Sequence, residues 1–235
     1  MSRDYIVSIN NLSKKFGKNY ALQDVNLNIG SGKIVGLLGP NGSGKTTLIK
    51  ILNGLIKQTE GDVFIDGVEP SPYTKSIVSY LPDKPYFAKW MKVKDALNLF
   101  QSFYEDFDRE RALAMCENLG ISEGDKIKSM SKGTKEKVEL ILTMSRNAKL
   151  YLLDEPIGGV DPAARDCILD TIISNFNEDA TIIISTHLIS DIERVLDDVI
   201  FIKAGNIIEF AAVDDLKANG KSIDEQFRES FKMNK

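Results

Sequence analysis

The sequence predicts an α/β protein: a parallel sheet buried under helices, joined to an antiparallel β unit and an inserted helical unit. Three observations carry that prediction. Short, continuous apolar runs at "KIVGLLG" (33–39), "LYLLD" (150–154) and "TIIIST" (181–186) suit strands covered on both faces, as in parallel sheets. The first third instead alternates with a period near two, the mark of half-buried antiparallel strands. From about Lys84 to Ala148 strand signals vanish and helical spacing replaces them.

In chain order, "YIVSINNL", "ALQDVNLNI" and "DVFIDG" read as the antiparallel strands, with Asp66-Gly67 as a hairpin turn. Between the second and third, the run at 33–39 leads into a helix over Lys45–Ile56. "SIVSYLPD" (76–83) reads as a strand. In the middle, "VKDALNLFQSFYEDF" and "DRERALAMCENLG" have helical spacing, the second closing at a Gly120 cap. "MSKGTKEKVELIL" (130–142) starts another helix, with a serine and a glycine ahead of its apolar run. Helices over Pro162–Asn175 and Ile189–Leu196 follow the last two buried runs, and Ala204-Gly205-Asn206 makes a second hairpin turn. In the tail, Ile223, Phe227 and Phe231 stand four apart and pack a final helix onto the body. The expected division is 1–83 with 149–212 as core plus β unit, 84–148 as helical subdomain, and 213–235 as helical tail, all within one domain of 1–235.

Composition narrows the function. The chain has 235 residues, 43% hydrophobic and 27% charged, with net charge −4. That is ordinary for a globular domain, and no global basic field argues for nucleic acid. No apolar run approaches the ~20 residues of a membrane helix. The N-terminus "MSRDYIVSIN" lacks a signal peptide's apolar core, so a cytoplasmic protein is expected. Cys116 and Cys167 lack metal-ligand spacing and read as reduced, partly buried thiols.

The chemistry concentrates in "GPNGSGKTT" (39–47). It follows a buried strand, opens a helix, and fits G-x-x-x-x-G-K-[ST]. Gly39, Pro40, Asn41, Gly42, Ser43 and Gly44 form a loop whose N–H groups cradle phosphates. Lys45 reaches the β- and γ-phosphates, the Thr46 hydroxyl takes a Mg²⁺ position, and Thr47 completes the phosphate-binding stretch. In "LYLLDEP", Asp154 ends a core strand at the sheet edge where ligands bind and can hold Mg²⁺ through water. Glu155 is the candidate base for an attacking water. The helix start at Ser131 is a second anion-holding terminus.

These motifs together resemble the nucleotide-binding subunit of an ABC transporter, over roughly residues 5–212. The resemblance implies a P-loop NTPase (RecA-like) core, with ATP and Mg²⁺ as cofactors and ATP hydrolysis as the activity. It implies that Phe16 stacks on adenine, with Tyr20 a weaker candidate, that Asp161 speaks across a dimer, and that His187, the only histidine, contacts the γ-phosphate. "MSKGT" (130–134) occupies the family signature, so Ser131, Lys132, Gly133 and Thr134 would face the ATP of a partner ATPase packed head to tail, as a homodimer or heterodimer. Two departures stand out. Lys132 replaces a glycine, which implies right-handed backbone there; its ammonium either adds a cationic contact or is solvated. Asp83 replaces a glutamine, either reaching the metal shell or serving as a turn residue after Pro82. The resemblance also implies a separate membrane permease, peripheral attachment to the inner membrane face, and an exporter-type system. Tyr86, Phe87 and Trp90 would line the groove for the permease. A soluble ATPase with a nucleic-acid or ribosomal partner is the alternative reading, but the chain lacks tandem domains and a basic balance. A GTP switch is disfavoured by the absence of an [NT]-K-x-D motif.

Overall fold

The computed structural model describes residues 5–218 and 220–232. Residues 1–4 of the N-terminal segment, and 219 and 233–235 of the expected tail, lie outside them. The chain opens with β1 (Tyr5–Phe16) and β2 (Asn19–Gly30), then β3 (Ile34–Leu38), α1 (Lys45–Leu52) and β4 (Glu60–Ile65). Helix α2 (Pro72–Ile77) leads into β5 (Val78–Leu81). Three helices follow: α3 (Val93–Phe103), α4 (Arg109–Asn118) and α5 (Lys132–Met144). Next come β6 (Leu150–Asp154), α6 (Pro162–Asn175), β7 (Thr181–Thr186) and α7 (Ile189–Ile192). The chain closes with β8 (Asp198–Lys203), β9 (Asn206–Ala212), α8 (Val213–Lys217) and α9 (Ile223–Lys232).

Two sheets result. One is antiparallel, ordered β2-β1-β4; the other has six strands, ordered β5-β6-β7-β3-β8-β9. All neighbours in the second are parallel except β8 with β9. Its apolar runs split by face. Ile34, Leu38, Tyr151, Leu153, Ile182 and Ile184 pack toward the helices that follow β5. Val35, Leu37, Leu150, Leu152 and Ile183 pack toward α1 and the antiparallel sheet. Because alternate residues are buried on opposite faces, the sequence shows a continuous run where a one-sided strand would alternate.

Parallel pairing sets the strand ends level. Asp154 of β6 sits opposite Ser185 of β7, and Leu38 of β3 opposite Thr186. The loop 39–44, the pair Asp154-Glu155 and His187 therefore leave the sheet along one carboxyl edge.

Several boundaries differ from expectation. The strand expected at 76–83 begins at Val78, because Ser71 and Thr74 form a capping box with Pro72 at N1 and wind 72–77 into helix. The helix expected to reach Ile56 stops at Leu52, where Gly54 turns left-handed at φ 64. The one expected over Ile189–Leu196 breaks after Ile192 into a 3₁₀ turn. Asp66-Gly67 turns back to a single bridge, Ile65 with Val68, in place of a hairpin. Ala204-Gly205 does join β8 to β9. In the tail, Ile223 is fully buried and Phe227 meets Phe201 edge-on at 5.3 Å.

Arg146, 2% exposed, fastens the helical segment to the sheet. Its guanidinium holds the Asp106 carboxylate at 3.0 Å on both oxygens and donates to the Val78 carbonyl at 2.6 Å. Its face covers the Tyr104 ring at 3.8 Å.

Candidate functional site

The loop between β3 and α1 encloses space because its glycines permit it. Gly42 (φ 79) and Gly44 (φ 113) adopt left-handed backbone that other L-residues rarely take. Gly39 is held so close to β8 that a Cβ would collide with the Ile202 carbonyl oxygen. With neither strain nor a side chain in the way, the loop borders a cavity of about 520 Å³. Asn41, Gly42, Ser43, Gly44, Thr46 and Thr47 line it.

Lys45 enters this cavity but is engaged within it. Its ammonium donates to the Gly39 carbonyl at 2.7 Å and the Pro40 carbonyl at 3.3 Å. It also lies 3.2 Å from Glu155 Oε1, and both side chains are largely buried. The other oxygen, Glu155 Oε2, is 3.0 Å from His187 Nδ1. Glu155 thus hangs between the loop lysine and the histidine that follows β7. Its backbone is left-handed at φ 53, a conformation costing a non-glycine residue about 1–3 kcal/mol. The Glu155 N–H donates to the Ser185 carbonyl at 3.0 Å and to Ser185 Oγ at 3.1 Å, which fixes it there.

Asp154 is buried beside it. Its Oδ1 accepts from Ser185 Oγ at 2.7 Å and Thr46 Oγ1 at 3.1 Å. Its Oδ2 is buried without a partner. Burial raises the Asp154 carboxyl above its ordinary range; the Ser185 and Thr46 hydrogen bonds oppose this, while the charges of Asp83 and Glu155 add to it. An orphaned carboxylate oxygen next to a threonine hydroxyl is a hard-oxygen pair that fits the shell of Mg²⁺. Asp83, two residues past β5, lines the same cavity and is exposed.

The signature residues divide between two cavities. Ser131 caps α5, accepting from the Thr134 N–H at 3.1 Å and pairing with Thr134 Oγ1 at 2.8 Å. Ser131, Gly133, Thr134 and Asp161 line a second cavity of about 300 Å³. Lys132 is the first residue of α5 and right-handed, as expected. Its side chain turns the other way: it lines the phosphate-loop cavity of its own chain, with its ammonium 3.4 Å from Glu136 Oε1. Gly159 borders both cavities, and a Cβ on it would lie 2.7 Å from the Lys132 ammonium.

Phe16 and Tyr20 stand apart from the phosphate-loop cavity, 54% and 44% exposed on the β1–β2 hairpin. Lysine ammoniums cover both rings, Lys14 at 5.0 Å from Phe16 and Lys15 at 4.4 Å from Tyr20. The hairpin reaches the cavity through Ala21. Of the three aromatics expected in the groove, only Tyr86 lines a cavity of about 740 Å³; Phe87 borders a smaller one and Trp90, 73% exposed, lines neither. Sequence reasoning missed Ser185, which holds both Asp154 and Glu155. Its signal was present: a serine ending a run of isoleucines, at the carboxyl edge that the acids also reach.

Comparison with known proteins agrees with this geometry. Residues 22–158 match the family described as ABC transporter. The chain is 32% identical over 216 residues to the ABC transporter ATP-binding protein YtrB of Bacillus subtilis, covering 90% of this chain and 74% of that one. It is 33% identical over 205 residues to the lantibiotic transport ATP-binding protein SrtF of Streptococcus pyogenes, covering 86% and 89%. A solved ATP binding subunit of an ABC transporter superposes with a TM-score of 0.86 at 26% identity, covering 96% of this chain and 99% of that one. A dimeric ATP-binding cassette bound to ADP and Pi shares the fold, with a TM-score of 0.77 at 24% identity over 88% of this chain and 98% of that one.

Proposed function

The chain belongs to the ABC transporter family as an ATP-binding, ATP-hydrolysing subunit, and from that premise we propose how its residues divide the work. The observation that carries the reading is Glu155 held between Lys45 and His187 beside the orphaned oxygen of Asp154. ATP enters with its phosphates against the 39–44 loop, and Phe16 on the hairpin takes the adenine face. Lys45 leaves Glu155 and the loop carbonyls for the β- and γ-phosphates. Glu155 Oε1, released from Lys45, accepts the proton of the attacking water, and His187 steadies Oε2 and faces the γ-phosphate. Thr46, Asp154 Oδ2 and Asp83 would hold Mg²⁺, which would neutralise phosphate charge there. Among the described residues no cluster of three or more His, Cys, Asp or Glu side chains gathers for a metal.

Ser131, Gly133 and Thr134 serve the ATP of a partner ATPase, and Asp161 meets that partner. Ser131, Gly133 and Thr134 line the second cavity and not the phosphate-loop one, which supports this reading, although the two cavities adjoin at Gly159. Homodimer and heterodimer both satisfy it. Among the described residues no helix is long and apolar enough to cross a membrane, so the proposed transporter draws its membrane path from a separate permease. That permease docks this subunit on the inner face of the membrane, in the groove that Tyr86 lines. The lantibiotic-transport relative supports a role in transport, and we take the system to be of exporter type.

Ser131→Arg tests the topology. Bulk at the closed interface should abolish hydrolysis yet leave ATP binding by the monomer intact, apart from about 1 kcal/mol of stability lost with the helix cap. Loss of ATP binding by a monomeric, folded Ser131→Arg chain would place the signature on its own nucleotide and end the head-to-tail reading.

A further inference from the structure

A cavity larger than the phosphate-loop one lies away from it. It has a volume of about 740 Å³ and opens between β5 and α3. Its apolar wall is unusually bare: Phe103 is 75% exposed, and Tyr86, Leu55 and Leu99 exceed 40%. Its charged groups are all of one sign. Lys50 at the end of α1, Lys75 in α2 and Lys84 beyond Asp83 line it, and no carboxylate does. The chain as a whole carries 34 acidic and 30 basic residues, so the groove concentrates the minority charge. Arg146, the fourth cation, is already paired with Asp106. Lys50, Lys75 and Lys84 have no ion-pair partner among the described residues.

We propose that this groove is selective for a short amphipathic helix of the membrane partner that carries apolar anchors on one face and carboxylates flanking them. This rests on the reading above that the groove is the permease's dock, and adds the chemistry that would recognise the partner. Phe103, Leu99 and Tyr86 supply the apolar contact that a helix-in-groove mode needs. The three lysines meet carboxylates at the rim. Rim charges set orientation and association rate and penalise like-charged competitors.

The same mixture of lysine and aromatic residues could suggest single-stranded nucleic acid, which stacks bases on free ring faces. Here most of those faces are taken, the bare Phe103 ring being the exception. Phe100 packs against Tyr104 at 5.4 Å and Phe107 at 5.8 Å, the Arg146 guanidinium covers Tyr104, and Tyr86 stacks on Phe87 at 5.5 Å. What remains is one bare ring, ring edges and aliphatic surface, which suits a helix better than a row of stacked bases.

The test uses the full chain and two fluorescein-labelled helical peptides with the same leucine and phenylalanine face, one flanked by glutamates and the other by lysines. A short single-stranded RNA is the third probe. At low salt the glutamate peptide should bind about tenfold tighter than the lysine peptide or more, and high salt should remove the preference. The combined Lys50→Glu, Lys75→Glu and Lys84→Glu variant should reverse it. Phe103→Ala should weaken both peptides alike. Equal binding, no binding by either peptide, a preference that survives the charge reversal, or RNA that displaces the glutamate peptide would each overturn the proposal. Basal ATPase without peptide is measured alongside. Its absence would strike the ATPase reading itself; with ATPase intact, equal binding of the two peptides rejects the charge selectivity, and no binding by either rejects the groove as a helix dock.

Discussion

Replacing Glu155 with glutamine separates binding from chemistry. The substitution preserves the side chain's shape and carries the same left-handed backbone cost at φ 53, so the fold should be undisturbed. It removes the basic oxygen. General-base assistance contributes typically ~10²–10⁴-fold, which at about 1.36 kcal/mol per decade is roughly 2.7–5.4 kcal/mol of barrier. The resting contact adds a second, opposite expectation. Lys45 now lies 3.2 Å from Glu155 in a buried setting, and that pairing must break before the ammonium can serve phosphate. A neutral glutamine competes for it less strongly. Glu155→Gln should therefore bind ATP as tightly as the parent or tighter, while hydrolysing it at least a hundredfold more slowly, the lower bound of the general-base range. On the proposed head-to-tail reading, in which hydrolysis reopens the dimer, the ATP-bound dimer should accumulate. Equilibrium binding of a fluorescent ATP analogue, rapid-quench single turnover and size-exclusion chromatography measure the three quantities. Turnover within tenfold of the parent would refute the base assignment. Weaker ATP binding would refute the view that Glu155 restrains Lys45.

Two further expectations follow from buried groups. Ser185→Ala removes the 2.7 Å hydrogen bond to Asp154 Oδ1 and one of two supports of the Glu155 N–H; leaving a buried carboxylate less satisfied costs about 1–3 kcal/mol, visible as a lower denaturant midpoint, and an unchanged midpoint would show that Ser185 is incidental. Glu139 gives a pH test. Burial pushes its carboxyl up to about 7 from 4.5, the nearby Glu136 charge adds to the rise, and the Tyr86 N–H donated to it at 3.0 Å opposes it. The folded state thus keeps a proton that the unfolded chain releases, so this contribution is full below about 4.5 and is lost as pH rises through about 7. Glu139→Gln should flatten the fall in thermal stability across that window and exceed the parent above it; parallel profiles for the two proteins would contradict a buried, protonated Glu139.

What the sequence disclosed and what it hid follow from how each feature is encoded. The phosphate loop is contiguous, so residue order alone places Gly39, Gly44, Lys45 and Thr46, and the structure builds a cavity on them. The parallel strands were legible because burial on both faces writes itself as an unbroken apolar run. Helix α2 was hidden because a six-residue helix carries too little periodicity to register, and its cause is a local capping box that a strand-like apolar sequence overwrote.

The contacts within the site were hidden for a different reason. Lys45 and Glu155, or Asp154 and Ser185, meet only because parallel register levels the ends of β3, β6 and β7, and no local pattern records that meeting. Lys132 shows the limit most sharply. Its place in the signature motif says that it belongs with Ser131 and Gly133, yet helical geometry rotates adjacent side chains by about 100°. One neighbour of Gly133 therefore opens toward the second cavity while Lys132 turns to the wall of its own chain's phosphate cavity. A motif specifies which residues are adjacent in sequence; a helix then assigns them to different faces. Gly159, where an added Cβ would meet the Lys132 ammonium and which both cavities share, is where those two faces meet again.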